Sequence, residues 1–430
     1  MRYSAPLLAL CEEALSELTA FERPADAVLS AFFRAHREAG QNDRALIAES
    51  VYALIRRWRL MQSVAPKASL RQLVLAAWSS LLGANLRELE PLLRRGDREW
   101  LAGVKAAIHA DLPFEVRCDL PDWVIERLRK RFDDKSLLAH AIALQASAPL
   151  DLRVNILKRS REEAIERLAA DGYQPKVMTY SPVGVRVAGK PVINRNPLFI
   201  AGEIEVQDEG SQLLAWLVEP RRGEMVVDFC AGAGGKTLAL GMLMRSTGRL
   251  YAFDVSARRL ENLKPRLARS GLSNVHPQRI EGERDARVRR LAGKIDRVLV
   301  DSPCSGLGTL RRNPDLKWRQ TAAGVDELAA KQTRILESAA RLLKPGGQLV
   351  YATCSILAEE NERVVEDFLS RHPEFKVVPA VAELVRRDIA MPENADAGPY
   401  LKLAPDSHQT DGFFAALLEK VKVASVKVAS

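Results

Sequence analysis

Met225-Val226-Val227-Asp228-Phe229-Cys230-Ala231-Gly232-Ala233-Gly234-Gly235-Lys236-Thr237 decides the fold. Met225 to Cys230 is an apolar run with one acid, the pattern of a strand covered on both faces. Glycines follow, and then an apolar helical stretch to Met244. Strand, glycine turn and helix in that order open a βαβ unit, and glycines there let the backbone approach a ligand closely at a helix N-terminus. Spacing excludes two phosphate loops. A Walker A loop needs Gly-x-x-x-x-Gly-Lys-Ser/Thr; Gly235-Lys236-Thr237 supplies its end, but Cys230 stands where the first glycine is required. A dinucleotide loop needs Gly-x-Gly-x-x-Gly, and after Gly232 and Gly234 the third place is Thr237.

Beyond this loop, strands and helices alternate. Arg249 to Phe253 reads as the second strand and ends at Asp254, where a carboxylate accepts bonds from ribose hydroxyls. Loop and acid together suit an adenosyl cofactor without pyrophosphate, S-adenosylmethionine. Its expected contacts are Cys230, Ala231, Gly232, Ala233, Gly234, Gly235, Lys236 and Asp254. A helix from Arg258 to Ser270, closed by Gly271, leads to a third strand, Val275 to Ile280, ending at Glu281. Either Glu281 or Asp285 would bond the adenine amine, unless both belong to a charged loop. The fourth strand, Arg297 to Val300, ends in Asp301-Ser302-Pro303-Cys304. A basic run, Arg311 to Arg319, a long helix from about Ala322 to Leu343, and a turn at Lys344-Pro345-Gly346-Gly347 follow. The fifth strand, Gln348 to Val350, enters Tyr351-Ala352-Thr353-Cys354-Ser355. Glu359-Glu360-Asn361-Glu362 starts another helix, with acids in its first turn as the helix dipole prefers. A final strand begins at Phe413, and the tail, 421–430, repeats Val-Lys-Val-Ala-Ser and reads as frayed. The alternation predicts an α/β class, a doubly wound and mostly parallel sheet over 205–420, with the two cysteine motifs opening on one crevice.

Two different regions precede it. Apolar residues recur at helical spacing over Leu7–Leu18, Ala27–Ala35, Ala45–Trp58 and Leu70–Leu82, so 1–146 reads as an all-helical bundle, with Asp43 as the N-cap of the third helix. Arg56-Arg57-Trp58-Arg59 is either a solvated helix face with a buried Trp or an RNA-facing surface. Residues 147–204 form a small α+β unit. Leu150 to Asn155 alternates as a strand, and Ser160 with Glu163 makes a capping box for a helix ended by Gly172. Two short strands, at Lys176–Met178 and Val185–Val187, complete it. It serves as an RNA-contact platform or as a spacer.

Composition sets outer bounds. The 430 residues suffice for two or three domains, and a net charge of +9 permits a nucleic-acid partner through phosphate contacts. Five cysteines without regular spacing argue against a disulfide framework and fit a reducing cytoplasm. No Cys-x-x-Cys or His-x-x-x-His pair suggests a zinc site, so no metal is expected. Leu7 to Leu10 runs straight into Glu12 and Glu13, too short and acidic for a signal peptide, and no run reaches membrane-spanning length. Nothing demands a partner chain, so a monomer is expected.

Asp228 to Thr237, Asp301-Ser302-Pro303-Cys304, Arg312-Asn313-Pro314-Asp315, Thr353-Cys354-Ser355 and Asp411-Gly412-Phe413-Phe414 resemble the successive motifs of the Nol/Nop/Sun family of RNA 5-methylcytosine methyltransferases. The front end, notably Asp43 to Leu46 and Tyr52 to Arg56, resembles the NusB-like helical domain of the family's bacterial RsmB (Sun/Fmu) branch. That resemblance implies a Rossmann-like methyltransferase domain behind a NusB-like RNA-binding domain and a ferredoxin-like RNA-contact unit. Two positions depart from the pattern: Ala233 stands where proline is usual, and Glu281 where aspartate is usual.

Carbon 5 of cytosine is a poor nucleophile, and a thiolate adding to carbon 6 turns the ring into an enamine that attacks a methyl donor. The resemblance implies that Cys354 is that nucleophile and that Cys304 assists product release. Asp301 is the natural partner for the ring nitrogen and exocyclic amine, and also counts among the cofactor contacts. Lys236 orients Asp301, reaches substrate, or stands in solvent. Cys11, Cys118 and Cys230 read as packing residues. The branch favours 16S ribosomal RNA as substrate, with tRNA as the alternative. An amino-methyltransferase would place an aromatic where Cys304 stands, and would leave Cys354 unexplained. A catalytically idle RNA-binding or assembly factor is the rival from another class.

Overall fold

The computed structural model describes residues 3–189, 191–391 and 398–422. It divides into two compact units. One runs up to Ser147 and includes Thr309–Ala322; the other comprises Ala148–Gly308 and the chain from Ala323.

The first unit is helical. Helices Ala5–Leu18, Ala25–Ala35 and Gln41–Arg56 pack their apolar stripes around Trp78, whose indole donates to Ser50 Oγ at 2.7 Å. Three local expectations are corrected. Asp43 is the third residue of its helix, not the cap; it accepts the amide of the true N-cap, Gly40, at 3.1 Å. The helix expected over Ala45–Trp58 breaks at Arg57, and a new one spans Trp58–Val64. The helix expected to reach Leu82 runs Leu70–Ala76 and widens into a π turn, Ala77–Leu81.

The basic runs here are spent internally. The Arg56 guanidinium donates to the carbonyls of Ala146, Leu310 and Arg311, and Arg59 donates to Leu120 O at 2.6 Å. Lys317 is buried, its ammonium bonded to Asp119 O at 2.5 Å and Arg56 O at 2.8 Å; burial pulls it down to about 8, against Asp119. Arg56 and Arg59 thus spend donors on backbone within this unit, and all four residues of Arg56-Arg57-Trp58-Arg59 are half-buried.

The second unit carries two sheets. Strands β1 (Leu150–Val154), β2 (Pro175–Val177), β3 (Gly184–Val187) and β4 (Ile204–Val206) form a small antiparallel sheet in the order β2-β3-β1-β4. The fourth strand goes beyond the sequence expectation; three residues are too few to show a period. Ser160 caps the helix Arg161–Ala170 with Glu163 as its box partner, and Gly172 follows at φ +85°.

The large sheet contains β5 (Met225–Asp228), β6 (Arg249–Asp254), β7 (Val275–Arg279), β8 (Ile295–Asp301), β9 (Leu343–Thr353), β10 (Phe375–Val378), β11 (Leu401–Leu403) and β12 (Phe413–Lys420). Its order is β10-β12-β9-β8-β5-β6-β7, with β11 also on β12. The five strands from β9 to β7 in that order are parallel, whereas β12 and its neighbours are antiparallel. The sheet is thus mixed. Helices such as Gly235–Leu243, Ala257–Ser270 and Ala322–Ala340 cover it, and apolar clusters lie on both faces. The turn expected at Lys344–Gly347 is instead strand, bulged where the β8–β9 register shifts between Ile295 and Arg297. Of the tail 421–430, only Val421 and Lys422 are among the described residues. No helix among the described residues is long and apolar enough to cross a membrane.

Candidate active site

Strand order reverses at β5, which pairs with β6 on one side and β8 on the other. Such a switch point leaves a crevice beyond the strands' C-terminal ends. A cavity of about 580 Å³ lies there. Every residue from Cys230 to Lys236 except Gly234 lines it, with Asp254, Asp301, Cys304 and Cys354. The motifs far apart in the chain therefore meet in one place.

Gly234 has a different task. Its φ is +84°, and a Cβ there would meet Leu263 Cδ1 at 2.1 Å, so it seats the loop against the helix Ala257–Ser270. Two arginines hold the same loop from behind. Arg266 donates to Ala233 O at 2.7 Å and pairs with Glu205 at 2.9 Å. Arg153 donates to Gly235 O at 2.7 Å and also bonds Gln207. Two loop carbonyls are thus tied back to Arg153 and Arg266.

The cavity fits an adenosyl group with a cationic tail. Asp254 accepts the amides of Gly232 at 2.8 Å and Ser256 at 2.7 Å, one on each oxygen. A carboxylate oxygen has two lone pairs, so capacity for ribose hydroxyls remains. Val255 and Ile280 supply apolar wall. Neither of the two acids expected near the adenine lines the cavity. Glu281 is exposed and lines no part of the cavity; Asp285 turns its oxygens to the amides of Glu281 and Arg287, at 2.9 and 2.8 Å. Glu283 lines the cavity instead. The strand stops at Arg279, one residue before the expected end, and the loop beyond folds around Asp285.

Asp228, absent from the expected contacts, also lines the cavity. It is 1% exposed, accepts the Thr237 hydroxyl at 2.6 Å, and its Oδ1 has no partner. Burial pushes its carboxyl up to about 7, against the Thr237 bond. An acid ending the strand before a glycine loop was the available signal.

At the other end, β8 and β9 pair in register through Asp301 and Ala352, which sets the two cysteine loops side by side. Cys304 Sγ and Cys354 Sγ are 3.4 Å apart, within thiol hydrogen-bond reach. The bond to Cys354, together with burial and the charge of Glu360, raises the Cys304 thiol well above its usual range. Cys304 therefore keeps its proton. The Lys236 ammonium donates to Asp301 Oδ2 at 2.8 Å and lies 5.5 Å from the centre of the Phe413 ring. Burial pulls its proton affinity down, but Asp301 and Cys354 outweigh burial and leave it raised. Of the three readings of Lys236, solvent is excluded, since its side chain is 12% exposed.

The remaining thiols suit packing. Burial pushes Cys11 up to about 12 and Cys118 up to about 11, and raises Cys230 well above its ordinary value. Cys230 does line the cavity. Among the described residues, no group of three or more His, Cys, Asp or Glu could hold a metal ion.

The chain is similar to known proteins over most of its length. The model of the 16S rRNA methyltransferase RsmB/F family matches residues 215–419, and that of the RsmF/B-like ferredoxin-like domain matches 120–193. The probable ribosomal RNA small subunit methyltransferase B of Synechocystis sp. is 34% identical over 76% of this chain and 73% of its own length. The ribosomal RNA small subunit methyltransferase B of Pasteurella multocida is 31% identical over 78% of this chain and 69% of its own. The crystal structure of PH0851 superposes with a TM-score of 0.77 at 28% identity, covering 97% of this chain and 100% of that one. With the family model running from the helix before β5 into β12, through both cysteine loops, the chain belongs to the RsmB/F family of 16S rRNA methyltransferases.

Proposed function

We propose that this protein methylates carbon 5 of a cytidine in small-subunit ribosomal RNA, with S-adenosylmethionine as donor and a covalent bond from Cys354 to cytosine carbon 6. The carrying observation is the pair of thiols 3.4 Å apart at the end of the cavity that also holds the glycine loop and Asp254. One thiol suffices for packing; two at adjoining strand ends suit a reaction needing one sulfur to add and a second group to help it leave.

The steps divide among the chain's own groups. Asp254 holds the ribose, Glu283 the adenine amine, and the free Oδ1 of Asp228 the ammonium of the methionine part. The donor, when bound, supplies an electrophilic methyl on a sulfonium. Asp301, fixed by Lys236, offers its other oxygen to the exocyclic amine and to a proton on the cytosine ring nitrogen, and the ring protonated there is more electrophilic at carbon 6. Cys354 gives up its thiol proton to water, its Sγ bonds carbon 6, and the electron pair of the 5,6 double bond becomes available at carbon 5, where it would bond the methyl as the bond from methyl to sulfonium breaks and a neutral thioether leaves. Loss of the carbon 5 proton to a base then reforms the double bond and expels Cys354. Cys304, beside the sulfur–carbon bond, assists this release. A cytoplasmic location suits a reaction on ribosomal RNA.

The test uses tritiated S-adenosylmethionine and an unmodified 16S transcript. Cys354→Ala should abolish transfer, whereas Cys304→Ala should accumulate a protein–RNA adduct that survives denaturing electrophoresis. Full activity of Cys354→Ala would reject the covalent route. Transfer to tRNA but not to the transcript would reject the substrate. No adduct with Cys304→Ala would remove its role in release.

A further inference from the structure

Behind the two cysteine loops lies a carboxylate that the steps above do not use. Glu360 is 0% exposed, in a short 3₁₀ turn, Ala358–Glu360, after the Cys354 motif. Its Oε1 accepts the Ser305 amide at 2.8 Å and the Gln332 side-chain amide at 3.0 Å. Its Oε2 accepts the hydroxyls of Ser305 and Ser355, each at 2.5 Å. Four donors on two oxygens fill the lone-pair sites of a carboxylate, as a buried carboxyl group requires.

The identity of those donors matters more than their number. Ser305 follows Cys304 directly, and Ser355 follows Cys354 directly. One side chain therefore grips both loops, each at the residue beside its cysteine. Gln332, on the helix Ala322–Ala340, extends the grip: the amide that bonds Glu360 also donates to Pro303 O at 2.9 Å. The Tyr351 hydroxyl donates to Glu360 O at 2.6 Å, which fixes the carboxylate's own backbone to β9. The neighbouring Asn361 differs. It bonds Thr353 Oγ1 at 2.5 Å and Ser355 O at 3.0 Å, and so holds the Cys354 loop alone.

We propose that Glu360 is a positioning residue for methyl transfer, a buried carboxylate that sets the spacing between the Cys304 and Cys354 loops. This rests on the thiol chemistry proposed above. Addition and release require the two sulfurs to address the same ring, and a displacement of about 1 Å in such a geometry lowers a rate about 100-fold. The donor-binding loop, Asp228 to Lys236, is held by other residues, so donor binding does not depend on Glu360.

Glu360→Gln and Glu360→Ala separate this from a purely structural role. Glutamine keeps the grip: its oxygen accepts from the Ser305 and Gln332 amides, and its amine donates to the two serine hydroxyls, which rotate to accept. Alanine frees both loops. With tritiated donor and the unmodified 16S transcript, kcat should fall about 100-fold in Glu360→Ala and by less than about 10-fold in Glu360→Gln. The KM for S-adenosylmethionine should stay within about 3-fold of the parent in both. The double variant Ser305→Ala/Ser355→Ala removes one donor from each loop and should also lose kcat at constant KM, and it decides the matter if Glu360→Ala does not fold. Parental kcat in folded Glu360→Ala or in the double serine variant would overturn the proposal, and so would Glu360→Gln as inactive as Glu360→Ala. Cys354→Ala is run alongside. If it is inactive while Glu360→Ala is normal, only the positioning role fails; if it is active, the covalent route fails.

Discussion

Asp228→Asn is the change whose consequence is worked most directly from the site. Burial, opposed by the Thr237 bond and aided by Asp301, raises the Asp228 carboxyl from 3.8 to about 7. Between those values the folded protein holds a proton that the unfolded chain has released. Stability contributed by this group is therefore full below pH 3.8 and is lost as pH rises towards about 7. The slope is about 1.4 kcal/mol per pH unit, so the whole loss is roughly 4 kcal/mol by about pH 8. Asparagine has the same shape, keeps the Thr237 hydroxyl bonded through its amide oxygen, and does not titrate. All other groups titrate alike in both proteins, so the difference between their urea-unfolding free energies isolates Asp228. That difference should grow in favour of Asp228→Asn by roughly 2 kcal/mol between about pH 5 and pH 7, and then level off. The same variant should bind S-adenosylmethionine more weakly, because the unpartnered Oδ1 is the proposed acceptor for the donor's ammonium. Calorimetry should show parental affinity rising through about pH 7, with the variant flat across the same range. Parallel pH dependence of unfolding in the two proteins would refute a buried, proton-retaining carboxyl, and unchanged affinity would remove Asp228 from the donor site.

Two further outcomes follow from the loops around the cavity. Arg266→Ala releases the Ala233 carbonyl and leaves Glu205 paired with Arg269; the KM for S-adenosylmethionine should rise about 10-fold while kcat at saturation changes by less than about 3-fold, and lysine should not restore it because the fork of donors is lost. At Gly308 an added Cβ would lie 2.2 Å from Gly412 O and 2.8 Å from Cys354 O. Gly308→Ala should therefore lower kcat about 100-fold through displacement of the Cys354 loop, and stability by about 2 kcal/mol in urea unfolding, without changing donor affinity.

The parts of the site that were legible in the sequence are those carried by periodic or sterically special stretches. Strand β6 and its closing Asp254 were marked by a short apolar run and an acid at its end. The glycine loop was marked by residue type alone. The two cysteine motifs sat after such runs, and neighbouring strand ends in a parallel sheet brought them together. Irregular backbone carries no period, which is why Glu281 and Asp285 were expected where Glu283 lies. The amide bonds of Asp285 shape that loop, and they depend on φ and ψ rather than on composition. Glu360 was hidden for another reason. Among Glu359, Glu360 and Glu362 it looked like one more acid favouring a helix start, and only a long-range pairing with Ser305 distinguishes it from its neighbours. Lys317 gave no sign either: it sits in a basic run without apolar period, yet its ammonium is buried against Asp119.

Charge balance ties these features to the chemistry. Asp228, Asp254, Glu283 and Asp301 line the cavity that is proposed to take the donor. A negative lining favours a sulfonium and an ammonium over a neutral thioether, so the donor is held more tightly than the product it becomes. The same lining opposes negative charge on sulfur: burial first, and then Asp228, Asp301 and Asp254, raise the Cys230 thiol in its wall. A cavity that binds its donor this way needs local relief at the attacking thiol. Two groups are placed to give it: the Cys304 S–H, 3.4 Å from Cys354, and the Lys236 ammonium, whose proton is retained partly through Cys354. Glu360 enters this balance from outside the cavity, which it does not line: its charge helps raise the Cys304 thiol, while its four donors tie its oxygens to the two loops. It thereby holds the loops in register and favours a protonated Cys304 beside Cys354.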